Sequence, residues 1–468
     1  MKRNSWAGLR DEVLRRLTPT EEERKEVERF RDRVEVELTD RLREAGLRAA
    51  AEVHGSTARD TWLSGGRDID VFIVLDPEYG REVLPKVLDI VKGYVGEGWV
   101  EAYAEHPYIQ AETEGFEVEF VPCFRVDPRE GLISATDRTP FHTEFVRGSL
   151  PQGGGDEVRL LKRFMMGAGV YGAEVKVGGF SGYLCELLVV HYRSFHEALA
   201  AASGWRRGEV IDIAGGVDPG ALRKKFKEPL IVPDPVDPGR NAASAVSDTS
   251  MWTFAATSRA FLREPGEAFF FPEEGEADVE GVLESLLGRG SNILFVSVLD
   301  DDADVPDVLW GQLYKAERAF SNLLVEKGFS LIRSGIWSDE TSRHILVFEL
   351  EAAVLPELVR FRGPPVELAE DSDRFLRAHL GAEATVSGPW IEGRRWWVEK
   401  RRRQRDARLL LERALRDGGV GTGVPRRLSL KIARGLQVLL DDEISAHLAG
   451  GFARYMDRFL KGRPDWLE

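Results

Sequence analysis

Two aspartates, Asp68 and Asp70, stand directly before the apolar run of residues 71–74. This pattern predicts a buried strand over residues 68–75, and side chains two residues apart on a strand point to the same face of its sheet. Two carboxylates held that close repel each other unless positive charge lies between them. A divalent cation that takes oxygen ligands removes the conflict, and Mg²⁺ is the usual one beside phosphates. The pair therefore predicts a cation-binding edge of a β-sheet.

A glycine-serine turn precedes this strand. Gly55 and Ser56 follow a predicted strand at residues 48–53, and glycine lets backbone N–H groups approach a phosphate while the serine hydroxyl adds a donor. Arg59 can add a charge-assisted contact to the same phosphate. A Gly-Ser pair alone is a weak signal. Followed closely by Asp-x-Asp at the start of an apolar strand, it predicts nucleotidyl transfer.

Nucleotidyl transfer with two metal ions needs a third carboxylate from another strand. The predicted strand at residues 116–124 supplies Glu119 as the natural candidate, with Glu117 on the same face. The alternative is a half-exposed strand whose acidic face is merely solvated. The presence of Asp68 and Asp70 favours the metal-binding interpretation.

Hydrophobic periodicity predicts a mixed β/α region, then helices, then a second α+β region. Thr20 and Glu23 form a capping-box pattern before an amphipathic helix. A helix is expected near residues 81–95, helices over 155–201 and a stiff extended connector at 233–238. The order strand, helix, strand, strand over residues 293–299, 308–325, 329–334 and 344–350 predicts a ferredoxin-like or RNA-recognition-like module. The rest, from about Pro356, is expected to be mostly helical.

The formal net charge of −15 argues by itself against a nucleic-acid partner. Two basic patches oppose that inference, one at residues 223–227 and one at residues 394–408, although either could be a solvated surface. No apolar run reaches the length of a membrane span, and the first residues carry no secretory signal pattern. The two cysteines, Cys123 and Cys185, lie in apolar segments. We therefore expect a reduced, cytoplasmic protein without a membrane partner.

With these motifs in their order, the chain resembles the class I (archaeal-type) CCA-adding enzymes over nearly its whole length, with the likeness fading after about residue 260. The resembling stretches are residues 55–63, 68–72, 104–108, 121–123, 137–142, 157–162, 170–174, 179–186 and 234–241.

The resemblance implies an α+β fold with a nucleotidyltransferase (polymerase-β-like) mixed-sheet head, a helical neck, and a ferredoxin-like or RNA-recognition-like α+β body and tail. We expect the head at residues 1–147, the neck at 148–258, and the body and tail at 259–468. The implied activity is addition of C, C and A to the 3′ end of tRNA from CTP and ATP, with repair of incomplete ends. A homodimer is a further implication.

The resemblance also implies roles for individual residues. Asp68, Asp70 and Glu119 would hold two Mg²⁺ ions. Contacts to the triphosphate or sugar are implied for Ser56, Arg59, Lys162, Tyr171 and Ser181. Thr139 and His142 would lie near the nucleotide, and Arg240 would take part in base selection. The basic patches make Lys224, Lys225, Arg394 and Arg395 candidate tRNA contacts. The third carboxylate is usually aspartate in this family, so Glu119 is a departure.

Alternatives stay open at this point. The chain could be a related poly(A) or uridylyl polymerase or an oligoadenylate synthetase, or a non-catalytic RNA-binding protein on a decayed fold, for which Glu119 is the only support. Single residues also have plainer explanations: a solvated Lys162, structural histidines at His106 and His142, a packing role for Tyr171, a cap at Arg240, and core positions for Trp396 and Trp397.

Overall fold

The computed structural model describes residues 6–103, 106–127, 131–273, 275, 277–300, 304–416 and 418–467. The described chain divides into two compact units. The first unit runs to Glu273 and includes residues 464–467, and the second ends at Arg463.

A five-stranded mixed sheet organises the start of the first unit. Its strands and the nearby helices are α1 (Trp6–Leu17), α2 (Glu21–Glu44), β1 (Ala49–Val53), α3 (Gly55–Ala58), β2 (Asp68–Leu75), α4 (Leu84–Val95), β3 (Trp99–Tyr103), β4 (Pro107–Thr113) and β5 (Phe116–Phe124). The strand order is β1-β2-β5-β4-β3, and only β2 and β5 are parallel. The predicted strands at 48–53, 68–75 and 116–124 are confirmed, whereas β3 and β4 were not predicted.

The alternation along β2 decides which face of the sheet is buried. Ile69, Val71 and Ile73 pack into a core with α2 and α4. The capping box that starts α2 is present, with the Glu23 backbone N–H donating to Thr20 Oγ1 at 3.2 Å and the Thr20 N–H donating to Glu23 Oε2 at 2.6 Å. Because side chains alternate, Asp68 and Asp70 point to the face opposite these helices.

Helices dominate the rest of the first unit, as predicted. The elements are α5 (Thr139–Ser149), α6 (Gly154–Gly167), α7 (Gly182–Tyr192), α8 (Phe195–Ala202), β6 (Glu209–Val210), α9 (Pro219–Lys225), β7 (Leu230–Ile231) and α10 (Asp248–Arg263). Their core is rich in aromatic rings: Phe164 packs against Phe195, Phe254 and Phe261 at ring-centroid distances of 5.3–6.2 Å.

The expected stiff connector at residues 233–238 is wrong. The segment folds back on itself, because Pro233 bridges Asn241 and the Asp234 backbone N–H donates to Arg240 O at 3.1 Å. The Asp234 carboxylate also accepts from the Val236 N–H at 3.0 Å, which stabilises the turn. Local side-chain bonds to backbone N–H groups favour such turns over extended chain.

The second unit contains the predicted ferredoxin-like module. Its elements are α11 (Val279–Leu287), β8 (Asn292–Leu299), α12 (Pro306–Glu326), β9 (Leu331–Ser338), β10 (Arg343–Leu350), β11 (Leu358–Pro365), α13 (Ala369–His379), β12 (Thr385–Glu392), β13 (Arg395–Arg401), α14 (Ala407–Leu415), α15 (Arg426–Arg434), β14 (Leu436–Leu440) and α16 (Gly450–Lys461). The main sheet has the order β14-β8-β10-β9, all antiparallel. Helix α12 packs on this sheet through Leu313, Phe320 and Leu324.

The expectation of mostly helical structure after Pro356 is wrong. Residues 358–401 contain a three-stranded antiparallel sheet of order β11-β13-β12, with α13 packed on it. Most of its strand side chains are only partly buried or exposed. Arginine and glutamate therefore occupy positions that a buried strand would fill with apolar residues, and the period-two pattern is hidden.

Cys123 and Cys185 are buried and unpaired, as expected. In the part of the chain that the structure describes, we find no helix that combines the length and the apolar character needed to cross a membrane.

Candidate active site

The parallel pair β2 and β5 brings the predicted carboxylates to one face of the sheet. Asp68 is in register with Glu117, and Asp70 is in register with Glu119. On the other side of β5, Gln110 of β4 is the register partner of Glu119. These side chains line a cavity of about 980 Å³. Asp68, Asp70 and Glu119 thus face the same cavity, and their role as metal ligands stays a prediction.

Among these carboxylates, Asp70 has a pKa well above its ordinary value. Burial raises the pKa of Asp70 to about 6, and the negative charges of Glu119 and Asp68 act in the same direction, partly offset by Arg59. Gly55 lies against the Asp70 carboxylate with a φ of +68°, and a Cβ at this position would overlap the carboxylate. A glycine is thus required both for the backbone conformation and for the close approach.

The donor chemistry of the three carboxylates fits a hard divalent cation, because all donors are oxygens and the charges of Glu119 and Asp68 add to burial in raising the pKa of Asp70. Among the residues that the structure describes, no three His, Cys, Asp or Glu side chains are already gathered closely enough to form a metal site. Glu119 instead accepts a hydrogen bond from Gln110 Nε2 at 2.7 Å.

Lys162 and Tyr171 meet at Gly182 beside the carboxylates. A Cβ at Gly182 would lie 3.1 Å from the Tyr171 hydroxyl and 3.5 Å from Lys162 Cε. Tyr171 and Gly182 line the same cavity as the carboxylates. Lys162 is buried and donates to Thr61 O at 2.9 Å, and burial lowers the pKa of its ammonium. The charge of Glu186 acts in the opposite direction, and an anionic ligand beside Lys162 would add to that stabilisation.

Arg59 makes a buried ion pair in the first unit. Its Nε lies 3.0 Å from Glu186 Oε1 and 2.9 Å from Oε2, and its Nη1 donates to Thr143 Oγ1 at 3.3 Å. Glu186 is fully buried and also accepts from the Thr61 hydroxyl. Sequence reasoning did not single out Glu186. The usable signal was a lone glutamate in an apolar helix segment, which must find a partner when buried.

Ser56 and Ser181 both lie at helix starts. Ser56 is in α3, directly after Gly55, and Ser181 caps α7 by accepting from the Leu184 N–H at 3.1 Å. The cap satisfies one of the unpaired N–H groups at the helix start. The predicted nucleotide contacts of both serines stay predictions.

A second polar group surrounds Asp234, which is fully buried. His142 Nε2 lies 2.9 Å from Asp234 Oδ2, and Arg240 Nη1 donates to the same oxygen at 2.8 Å. Tyr183 donates to Oδ1 at 3.1 Å. Burial alone would raise the pKa of Asp234, but hydrogen bonds and the charges of its neighbours lower it to about 2. The structure thus unites His142 and Arg240, and Thr139 begins the helix that carries His142. Asp234 and Tyr183 were not predicted.

The candidate tRNA contacts are on separate units. Lys224 and Lys225 are exposed on α9 of the first unit, where Lys225 Nζ donates to Pro238 O at 3.2 Å. In the second unit, Arg394 pairs with Glu367, and Arg395 donates to Gly363 O at 3.1 Å.

The plainer interpretation of His106 gains support from the structure. His106 is buried with its ring nitrogens 3.1 Å from Thr136 Oγ1 and 3.2 Å from Pro107 O, which fits a structural histidine. The neighbouring motif residues Ala104 and Glu105 lie outside the described residues. Trp396 and Trp397 are both partly buried on β13.

Comparison with known families covers most of the chain. A family model described as a nucleotidyltransferase domain matches residues 36–142. A model for the second domain of tRNA nucleotidyltransferase matches residues 156–271, and a model for the C-terminal domain of CCA-adding enzyme matches residues 289–440.

Individual relatives match over nearly their full length. A CCA-adding enzyme of Pyrobaculum neutrophilum is 41% identical over 393 residues, covering 84% of this chain and 89% of the relative. One of Methanosarcina acetivorans is 39% identical over 446 residues, covering 92% and 93%. A solved structure of Cid1, described for its RNA terminal uridylyl transferase activity, is 15% identical with a TM-score of 0.46, covering 57% of this chain and 98% of that chain. At the identity and coverage of the two archaeal relatives, the chain belongs to the CCA-adding enzyme family.

Proposed function

We propose that this chain adds C, C and A to the 3′ end of tRNA from CTP and ATP, without a nucleic-acid template, and that it completes partly degraded CCA ends. The observation that carries the proposal is that Asp68, Asp70, Glu119 and Tyr171 line one shared cavity. The kinship with archaeal CCA-adding enzymes supports the choice of substrate.

In the proposed reaction, the 3′ oxygen of tRNA forms a bond to the α-phosphorus of the nucleotide while the bond to the departing diphosphate breaks. Nucleotidyltransferases generally use divalent metal ions. Here two Mg²⁺ ions, held by Asp68, Asp70 and Glu119, would activate the attacking hydroxyl and stabilise the leaving diphosphate. The hydroxyl groups of Ser56 and Tyr171 would donate to phosphate oxygens. Lys162 and Arg59 would offset negative charge that grows on the triphosphate.

The remaining predictions concern organisation and partners. We retain a head at 1–147, a neck at 148–258, and a body and tail at 259–468. Lys224, Lys225, Arg394 and Arg395 remain candidate contacts to tRNA. A homodimer is proposed from the resemblance, and a cytoplasmic location is proposed because the buried, unpaired cysteines fit a reducing compartment.

The decisive experiment is incorporation of labelled CTP and ATP into tRNA transcripts that end before CCA, after the first C, and after the second C. Addition of C, C and one A, followed by arrest, supports the proposal. Long homopolymer tails would instead identify a related tailing polymerase, whose catalytic head would have the same carboxylates.

A non-catalytic RNA-binding protein is the second alternative, and diphosphate release separates it from an enzyme. Mg²⁺-dependent release of diphosphate in the presence of tRNA supports catalysis. Binding of tRNA without any release would favour the alternative and would direct attention to Glu119.

A further inference from the structure

Asp234 is a fully buried carboxylate that accepts four hydrogen bonds. One oxygen, Oδ2, faces His142 Nε2 at 2.9 Å and Arg240 Nη1 at 2.8 Å. The other, Oδ1, accepts from the Tyr183 hydroxyl at 3.1 Å and from the Val236 backbone N–H at 3.0 Å. A carboxylate with this many donors is ionised and can only accept.

The ionised Asp234 decides which ring nitrogen of His142 carries a proton. Because Oδ2 cannot donate, the Nε2 that faces it must carry the hydrogen. Burial lowers the pKa of His142, and the charge of Arg240, which pairs with the same carboxylate oxygen, acts in the same direction, so the neutral ring is favoured. A neutral ring protonated at Nε2 has an unprotonated Nδ1, which is a hydrogen-bond acceptor. Among the described residues, nothing donates a hydrogen bond to this Nδ1.

The ring plane of His142 is also fixed. It stacks on Tyr183 with ring centroids 4.0 Å apart and an interplanar angle of 26°. Thr143, the next residue, accepts a hydrogen bond from Arg59, whose positive charge acts on Asp70. His142 is therefore adjacent in sequence to a residue that hydrogen-bonds Arg59, and the charge of Arg59 reaches the carboxylate Asp70.

We propose that Asp234 is a positioning residue that holds His142 as a neutral acceptor beside the guanidinium of Arg240, so that His142 Nδ1 accepts a hydrogen bond from the incoming nucleotide. The group it binds is a hydrogen-bond donor of the nucleotide, either a ribose hydroxyl or the amino group shared by cytosine and adenine. A phosphate does not fit, because it offers no proton to a neutral acceptor near neutral pH. This inference rests on the proposed function.

The first test reads the tautomer directly in the wild-type protein. With ¹⁵N-labelled histidine at about pH 7.5, the His142 signals are assigned by their loss in His142→Phe. We expect shifts typical of a neutral ring with the proton on Nε2. A protonated ring, or a proton on Nδ1, would overturn the proposal without any Asp234 variant having to fold.

The second test identifies the donor on the nucleotide. CTP is compared with 2′-deoxy-CTP and with an analogue that has hydrogen in place of the 4-amino group. We expect wild-type kcat/KM to fall roughly 5- to 150-fold for one analogue, and His142→Phe to remove that discrimination. The analogue whose kcat/KM falls identifies the nucleotide group that donates to His142. An unchanged preference in both arms, or an equal loss in both, would overturn the proposal.

The third test reverses the tautomer. In Asp234→Asn, the fixed Val236 N–H retains the amide oxygen on its side, so the amide NH₂ faces His142 and Arg240. We expect the His142 proton to move to Nδ1 and kcat/KM for CTP and ATP to fall roughly 5- to 150-fold. Asp237→Asn is the matched control, because Asp237 is in the same loop but pairs with Arg138 at 2.7 Å.

The outcomes separate this inference from the proposed function. A folded Asp234→Asn with the wild-type tautomer and wild-type kinetics would overturn the inference while leaving CCA addition intact. Absence of any CTP or ATP incorporation by the wild-type protein would instead overturn the proposed function, and the tautomer measurement would still report on Asp234.

Discussion

Gln110 Nε2 donates a hydrogen bond to Glu119 Oε1 at 2.7 Å. The two residues are register partners on the antiparallel strands β4 and β5. Glutamate has one more rotatable bond than aspartate, so its carboxylate needs more restraint to stay at a defined point. Gln110 supplies that restraint on the side away from Asp70, the residue whose pKa the charge of Glu119 helps to raise.

The first prediction concerns Glu119 itself. Glu119→Gln should lower nucleotide incorporation by more than about 100-fold, because an amide cannot replace an anionic oxygen ligand, while tRNA binding in a filter assay stays unchanged. Glu117→Gln is the control, since Glu117 is on the same face of β5. Near-normal turnover in Glu119→Gln would remove Glu119 from the ligand set.

The second prediction concerns Gln110. Gln110→Ala should weaken Mn²⁺ binding, measured by electron paramagnetic resonance, by about 10- to 100-fold, because the Glu119 carboxylate loses the hydrogen bond from Gln110 on β4. With Glu119→Asp as background, the same change should have little further effect, since the shorter side chain does not reach Gln110. Equal losses in both backgrounds would contradict a direct coupling between the two residues.

The third prediction is a pH dependence of stability without metal. The pKa of Asp70 in the folded protein, about 6, is above its ordinary value of 3.8. The folded state therefore binds this proton more tightly, and the resulting stability is complete below about pH 4 and lost as pH rises through 6.

Asp70→Asn should consequently stabilise the chelator-treated protein above pH 6, by at most about 3 kcal/mol, with the gain vanishing below about pH 4. Urea unfolding across this pH range measures the difference. Adding Mg²⁺ should stabilise the wild type and not the variant. A variant less stable than the wild type at pH 8 in chelator would contradict the assignment.

The fourth prediction concerns the buried pair of Arg59 and Glu186. Glu186→Gln should destabilise the protein by about 3 kcal/mol, because the buried Arg59 side chain loses its ion-pair partner. The double variant Arg59→Gln with Glu186→Gln should recover part of this loss, which urea unfolding of all four proteins measures as a coupling energy. Strictly additive losses would show that the two side chains do not stabilise each other.

The fifth prediction concerns tRNA binding. Lys224 is exposed on α9, so Lys224→Ala should weaken tRNA binding and reduce the slope of log affinity against log salt by about 0.7 to 0.9. Arg394→Ala should change this slope less, because Glu367 already neutralises Arg394. A slope unaffected by Lys224→Ala would exclude that residue as a phosphate contact.

Local sequence was sufficient to predict an element where the alternation of apolar and polar residues matches the buried and exposed faces of that element. The alternation of Ile69, Val71 and Ile73 with Asp68 and Asp70 determined both the strand and the face that carries the carboxylates. The capping box at Thr20 determined the start of α2 in the same way. Half-exposed strands lack this alternation of apolar and polar residues. The sheet within residues 358–401 was therefore expected to be helical.

The partners of polar side chains were decided only by the tertiary structure. Asp234 meets His142 across 92 positions of sequence, and Arg59 meets Glu186 across 127. No local pattern encodes such pairs, because a buried charge requires a partner without specifying where in the chain it lies. The sequence by itself thus determined three strands of the first sheet, the face of that sheet that carries the carboxylates, and the family. Folding decided which donors surround each buried carboxylate, since that depends on how α5, α7 and the loop at residues 233–241 pack together.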